Sequence, residues 1–359
     1  MSELNLRTAQ KTKSFREGAV ASFTFGRRRV GPMHPCLVIA ELGVNHEGDA
    51  DVCATMIEQA AAAGADAVKL ITVDPDSNYE RGSISHDVFS SALLTREQTA
   101  RMFELANSLG MEAFTTIGDL VTLAWVMKLN VPAYKVSSGL LTTTPLVERV
   151  ARTGKPVILS TGMATLDDID TAVAAAQENG TGGIGVLQCT SLYPAAEDTL
   201  NLAVIAQLER RYGVPAGFSD HSVSADVPPF AVAAGARLVE KHFSLDTTRT
   251  GYDHPVSLMP GEFAGMVAAI RRVERLVGNP HKQPHEQERD RSQTTHRHLA
   301  AARDLDAGHL LREEDIVFLR LTHAVPGALV PGRFSELVGK RLNMALVQHQ
   351  AVESKHVQG

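Results

Sequence analysis

Two histidines stand where a chain could hold a metal ion: His221 in GFSDHS (217–222) and His242 in EKHFSLD (240–246). Each ends a short apolar run, VPAGF and ARLVE, of the kind that forms buried parallel strands. Imidazoles at the exits of two neighbouring strands can make a two-nitrogen metal centre. Taken singly, a buried histidine bonded to backbone is the commoner arrangement. The order of the surrounding segments reverses that preference.

Apolar or β-branched runs recur at 36–43, 67–73, 112–117, 133–139, 156–162, 184–190, 215–221 and 238–243. Between them lie segments with apolar residues at helical spacing, such as DVCATMIEQAAAAG, REQTARMFELANSLG and DTLNLAVIAQLERRYG. Strand and helix therefore alternate eight times, which predicts a parallel sheet covered by helices and, at that number, a closed (β/α)8 TIM barrel; a doubly wound open sheet is the structural alternative. Gly64, Gly110, Gly154, Gly180, Gly213 and Gly235 precede the next strand and are expected as helix C-terminal caps.

Catalytic groups of such barrels sit at the C-terminal ends of the strands. The residues expected there are Glu41, Lys69, Thr116, Lys135, Ser160, Cys189 with Thr190, Ser219 with His221, and Glu240 with His242. Two lysines, several hydroxyls, two acids and two histidines at one mouth describe an anionic substrate beside a metal ion. Strand alternation puts Ser219 and His221 on one face and Glu240 and His242 on another shared face, while Lys241 points out of the barrel.

The chain has 359 residues, 44% of them hydrophobic, enough for a full barrel and a second unit. A net charge of −6 argues against nucleic acid as a general partner. Cys36, Cys53 and Cys189 lie in or near apolar runs without CxxC spacing, the pattern of structural thiols in a reducing compartment. No apolar stretch has membrane length and the first thirty residues contain no signal-type apolar core, so a cytoplasmic protein without a membrane partner is expected.

Residues 1–35 divide into a polar arm and the segment ASFTFGRRRVG (21–31), which reads as a hairpin covering the barrel floor. The barrel is expected over 36–278, a polar linker over 279–296, and a small domain of strands and turns over 297–359. The linker histidines and His298 match no familiar metal spacing.

IAELGVNHEGD (39–49), YKVSSG (134–139), TGKPVILSTGM (153–163), CTSLYP (189–194), GFSDHS, VEKHFSLD (239–246) and GYDH (251–254) together resemble the sialic acid synthase family, across nearly the whole chain. The C-terminal segment is similar to the antifreeze-like, or SAF, domain that follows the barrel in that family. The resemblance implies condensation of phosphoenolpyruvate with an open-chain aldose, such as an N-acetylmannosamine derivative, giving a nonulosonic acid and phosphate. It places metal ligands at His221 and His242, for a divalent cation with Mn2+ first and Mg2+ or Co2+ as alternatives. It places phosphoenolpyruvate contacts at Lys69, Thr116, Lys135, Ser138, Ser160 and Ser219, and catalytic acids at Glu41 and Asp253. Tyr193 and Arg320 match sugar contacts, with Arg320 reaching a neighbouring subunit's site in a domain-swapped homodimer.

The chain departs from the family where the sugar is expected. An aromatic and a glutamine usually follow the second-strand lysine, whereas here Leu70 and Ile71 follow Lys69. A glutamate usually follows the serine-glycine of strand four, and here stands Leu140. The family's arginine-proline-glycine is altered to Arg320, Leu321, Thr322, with Pro326 and Gly327 farther on. A metal hydrolase would carry a His-x-His pair on the first strand, which IAELGVNH lacks; His46 reads as a loop-orienting residue. A Schiff-base pyruvate aldolase using Lys135 or Lys69, and a catalytically silent sugar-binding protein, are the competing functions.

Overall fold

The computed structural model describes residues 20–180, 182–279 and 281–358. The polar arm expected before residue 20 lies outside them. The chain divides into two compact units at Gly278/Asn279.

The first unit opens on an antiparallel hairpin, β1 (Phe23–Phe25) and β2 (Arg28–Val30). Eight parallel strands then close a barrel: β3 (Leu37–Gly43), β4 (Ala67–Thr72), β5 (Glu112–Ile117), β6 (Tyr134–Val136), β7 (Val157–Ser160), β8 (Ile184–Cys189), β9 (Ala216–Asp220) and β10 (Leu238–His242). β10 pairs with β3 to complete the ring. The near-continuous burial of these strands is what a sheet covered on both faces requires, and it is why they read as unbroken apolar runs. Helices pack outside; those over Ala50–Ala62, Arg96–Ser108 and Leu166–Asn179 are capped by Asp49, Thr95 and Thr165, whose side chains accept from first-turn N–H groups.

Gly64, Gly110, Gly154, Gly213 and Gly235 take positive φ before the next strand, as expected of caps. Gly180 does not. Its φ is −143° and its glycine has a packing cause: a Cβ there would lie 2.5 Å from the carbonyl oxygen of Ala151. Lys241 does point outward, into the helix layer, where it is fully buried against Asp220 with Nζ–Oδ2 2.8 Å.

The hairpin seals the barrel floor. Phe25 meets Phe114 edge-on with centroids 5.1 Å apart, Phe23 covers Gly183 and Gly185 at the start of β8, and Arg27 donates to Glu112, the first residue of β5.

The second unit contains a helix over Glu286–Thr295 and the antiparallel pair β11 (Arg297–Ala301) and β12 (Ile316–Arg320). The helix falls inside the segment expected to be a plain linker. His285 caps it and acids occupy its first turn, local signals that outweigh its lack of an apolar face. Leu299, Leu305, Leu311, Leu329, Leu337, Leu342 and Val352 make this unit's core. No helix among the described residues is long and apolar enough to cross a membrane.

Candidate active site

The C-terminal strand ends converge on a cavity of about 560 Å³. Glu41, Lys69, Thr116, Lys135, Ser160, Cys189, Ser219, His221, Glu240 and His242 all line it, together with Ser138, Tyr193 and Asp253 from the loops. Of the strand-end residues expected at the mouth, Thr190 alone is turned away, its hydroxyl donating to the Thr199 carbonyl. Arg320 belongs to the second unit, exposed on β12 and in register with Arg297.

Parallel pairing in register explains the convergence. Glu41 lies beside Lys69 across β3/β4, Thr116 beside Lys135 across β5/β6, and Ser219 beside Glu240 across β9/β10. Lys69 forms a close ion pair with Glu41, donates to Thr116 Oγ1 at 2.9 Å and lies 3.8 Å from Glu240 Oε2. Lys135 donates to Glu240 Oε1 at 2.9 Å, and Ser219 reaches the same oxygen at 3.1 Å. Glu240 is therefore the counter-ion that holds two ammonium groups inside the barrel.

Burial pushes the Glu41 carboxyl up to about 7 against the opposing pull of Lys69. Burial acts on Glu240 too, but Lys135 and Lys69 outweigh it and hold that carboxyl well below its usual range. Burial lowers Lys135 despite Glu240, whereas at Lys69 the two carboxylates overcome burial and raise the ammonium. Two acids and two bases in one cavity thus have separated proton affinities, the arrangement that general acid–base chemistry needs.

His221 and His242 face each other with ring centroids 5.4 Å apart. His221 Nδ1 lies 2.8 Å from the Thr190 carbonyl, which can only accept, so Nδ1 carries a proton and in the neutral ring it is Nε2 that has the lone pair. Tyr193 stacks on that ring and its hydroxyl lies 3.0 Å from Nε2. Tyr193, expected to touch sugar, lines the cavity while resting against this imidazole. Burial and the neighbouring cations drive His242 well below the ordinary histidine range, leaving a neutral ring able to ligate. Asp253 Oδ2 lies 3.6 Å from His242 Nδ1.

These residues fit a divalent cation. Buried atoms without a hydrogen-bond partner include His242 Nδ1, Ser160 Oγ, Glu41 Oε1 and Glu240 Oε2, all in this cavity. Three carboxylates, Glu41, Glu240 and Asp253, face two ammonium groups, Lys69 and Lys135, so a positive charge is what the cavity lacks before an anion can enter. Among the described residues no group of three or more His, Cys, Asp or Glu forms a complete cage. A cation held by His221 and His242 would keep positions open for water and substrate.

Ile71 and Leu140, singled out as departures, do line the cavity. Beside them stand Val73, Met163, Tyr79 and Phe89, the last two stacked at 4.9 Å. The stacked pair lies between β4 and β5, Tyr79 just after the short helix Pro75–Asn78 and Phe89 on the helix Ile84–Ala92. Asn45, Glu47, Ser244 and His254 were also missed as site residues; their only trace was membership in the IAELGVNHEGD, VEKHFSLD and GYDH segments.

The NeuB family pattern matches residues 56–282 and the SAF domain pattern matches 296–358. The N,N'-diacetyllegionaminic acid synthase of Legionella pneumophila is 32% identical over 91% of this chain and 96% of its own. Human N-acetylneuraminate-9-phosphate synthase is 34% identical over 71% of this chain and 75% of its own. The N-acetylneuraminic acid synthetase of Leptospira borgpetersenii, crystallised with citrate, superposes with a TM-score of 0.74 at 30% identity, over 77% of this chain and 96% of that one. A barrel whose mouth gathers these acids, lysines and histidines, followed by a SAF domain, belongs to a chain that is an enzyme of the NeuB family.

Proposed function

We propose that the protein condenses phosphoenolpyruvate with an open-chain aminohexose-type aldose, releasing phosphate and a nonulosonic acid. The observation that carries this reading is the pairing, in one cavity, of an anion-binding half with two facing histidines. Lys69 and Lys135 supply charge for a phosphate and a carboxylate, and Thr116, Ser138, Ser160 and Ser219 supply hydroxyls that orient them. On ligand entry the ammonium groups exchange part of their contact with Glu41 and Glu240 for the phosphate-bearing substrate.

His221 and His242 would hold a divalent cation, Mn2+ before Mg2+ or Co2+, which supplies Lewis-acid polarisation of the aldehyde oxygen. The enol carbon bonds to the aldehyde carbon, and positive character develops at the carbon bearing phosphate. Water adds there, Glu41 or Asp253 taking its proton, and phosphate leaves with C–O cleavage. The raised proton affinity of Glu41, about 7, suits that base.

The names of the relatives include legionaminic, pseudaminic and neuraminic products. The apolar wall of Ile71, Leu140, Tyr79 and Phe89 favours an acceptor with fewer hydroxyls and more acyl surface, a deoxy-diacetamido hexose over N-acetylmannosamine. Arg320 would close the mouth of a partner subunit in a swapped homodimer. Mixing an Arg320→Ala variant with a Lys135→Ala variant should then restore activity, and no recovery on proven subunit exchange argues against closure in trans.

The test is incubation of the purified protein with phosphoenolpyruvate, Mn2+ and a panel of hexosamines, diaminohexoses and neutral aldoses, following phosphate and product mass. Release with an acylated amino sugar is expected; none with any aldose defeats the reading. The lowered proton affinity of Lys135 favours one rival, a Schiff-base aldolase. Borohydride trapping of Lys135 with pyruvate would establish it instead.

A further inference from the structure

Asp253 sits on a loop, Leu245 to Ser257, that has no regular structure before a single 3-10 turn at His254–Val256. Its carboxylate nevertheless occupies a defined place: Oδ2 is 3.6 Å from His242 Nδ1, and a Cβ added at Gly43 would be 3.3 Å from both Asp253 Oδ2 and Glu41 Oε1. Such placement of a loop residue needs a cause outside the loop.

Two hydrogen-bonded sets supply it. Asn45, just past β3, accepts at Oδ1 from the Asp253 backbone N–H at 3.0 Å. Its Nδ2 donates to Ser257 Oγ at 3.0 Å and to the Phe243 carbonyl at 3.1 Å. Ser257 Oγ in turn donates to the Asp253 carbonyl at 2.6 Å. One amide side chain thus closes a ring around both backbone groups of Asp253. Beside it, His254 is buried with Nδ1 2.7 Å from Ser244 Oγ and Nε2 3.0 Å from Glu47 Oε1. A carboxylate only accepts, so Nε2 carries a proton; Ser244 Oγ, beside Nδ1, also meets the N–H and the carbonyl of Asp246, each at 3.1 Å. Arg249 binds the same Glu47 carboxylate from the loop side at 2.6 Å.

The backbone carries an independent sign. Glu47 has φ +52° and Tyr252, next to Asp253, has φ +50°, left-handed conformations that cost a non-glycine residue about 1 kcal/mol or more. Strained residues of this kind persist where the surroundings over-determine them. Here they stand on the two loops that the hydrogen bonds join.

We infer that Asn45, Glu47, Ser244 and His254 form a latch between the first and last strand–helix loops, and that its work is to set the position of Asp253. They are positioning residues. The inference rests on the proposed part of Asp253 in the condensation. His46, in the same segment, takes no part: its Nδ1 accepts from the Gly48 N–H at 3.1 Å within its own loop.

The test uses the full-length protein with Asn45→Ala, His254→Ala and the conservative Glu47→Gln, which keeps an acceptor for His254. Loss of Asn45 should lower kcat by about 10²-fold, the cost of a displaced catalytic group, with KM for phosphoenolpyruvate within about twofold. Glu47→Gln should keep kcat within about threefold. Amide exchange on the ligand-free protein should quicken at residues 251–257 in Asn45→Ala and stay slow in Glu47→Gln. If Asn45→Ala does not fold, Ser257→Ala opens the same ring and carries the same expectation. Unchanged exchange at Asp253 in a folded Asn45→Ala, or equal losses in kcat and phosphoenolpyruvate affinity, overturns the latch. Wild-type protein that releases no phosphate with any aldose defeats the proposed reaction instead, and exchange at Asp253 still decides whether the loops are joined.

Discussion

The two ends of the barrel bury charge in opposite ways. At the floor every acid has its partners: Glu112 accepts from Arg27, and Asp66 accepts from Arg271 and the Val38 N–H while pairing with Arg28. Phe25 and Phe23 fill what space remains. At the mouth the acids are equally buried, yet His242 Nδ1, Ser160 Oγ, Glu41 Oε1 and Glu240 Oε2 lack hydrogen-bond partners. Polar atoms that line a cavity offer contacts to a ligand, which the satisfied acids of the floor do not. Identical strands thus serve stability at one end and binding at the other.

The comparison breaks if the mouth's histidines are merely structural. Replacing both, His221→Ala with His242→Ala, should remove bound metal and lower turnover by about 10³-fold or more, the order expected for losing a Lewis acid. Metal content by mass spectrometry and phosphate release check it; normal metal content in a folded double variant refutes the assignment. At the floor the converse holds. Phe25→Ala should cost about 3–5 kcal/mol of stability through the cavity it leaves, seen as a lower denaturation midpoint, while kcat at low temperature stays near normal. A large loss of kcat without destabilisation would mean that the floor takes part in chemistry.

The same contrast governs what the sequence disclosed. All eight strands were legible because burial on both faces makes them unbroken apolar runs, and strand alternation then placed Ser219, His221, Glu240 and His242 correctly. Period-2 reasoning also turned Lys241 outward, where it meets Asp220. Loops have no such period. Tyr79, and Phe89 on the short helix Ile84–Ala92, gave no signal at the mouth, and Asn45 meets backbone groups that sequence spacing cannot reveal. Asp253 and Ser138 became visible through family resemblance alone. The roles within the cluster were less legible still, since Glu240's duty depends on which lysine reaches it across the barrel.

A pH profile sharpens the mouth's internal division. Glu41, raised by burial to about 7, is protonated below that pH and cannot accept a proton from water. If it is the base, kcat/KM for the acceptor should fall roughly tenfold in all as pH drops from about 8 to about 6, the slope of its logarithm nearing one only below that window. Glu41→Asp should shift the inflection and Glu41→Gln abolish it. A level profile across that window would transfer the role to Asp253.

The smallest effect concerns the wall that distinguishes this mouth from the family pattern. Ile71 follows Lys69 by two residues on β4 and lies close to Gly43, and Leu140 ends the 3-10 turn that begins at Ser138. Both therefore border Lys69 and Ser138 on the cavity wall, where the proposed function puts the acceptor. A hydroxyl buried against such a wall forfeits a hydrogen bond at about 1–3 kcal/mol, whereas a methyl or acyl group is accommodated. A deoxy-diacetamido hexose should accordingly exceed N-acetylmannosamine in kcat/KM by about 5- to 150-fold, the same range expressed as a ratio. Ile71→Gln with Leu140→Glu should narrow or invert that ratio while leaving KM for phosphoenolpyruvate nearly unchanged, because Lys69 and Lys135 remain in place. Wild-type preference for N-acetylmannosamine would mean that the sugar hydroxyls turn away from Ile71 and Leu140, and that the polar strand ends set acceptor choice as well as anion binding.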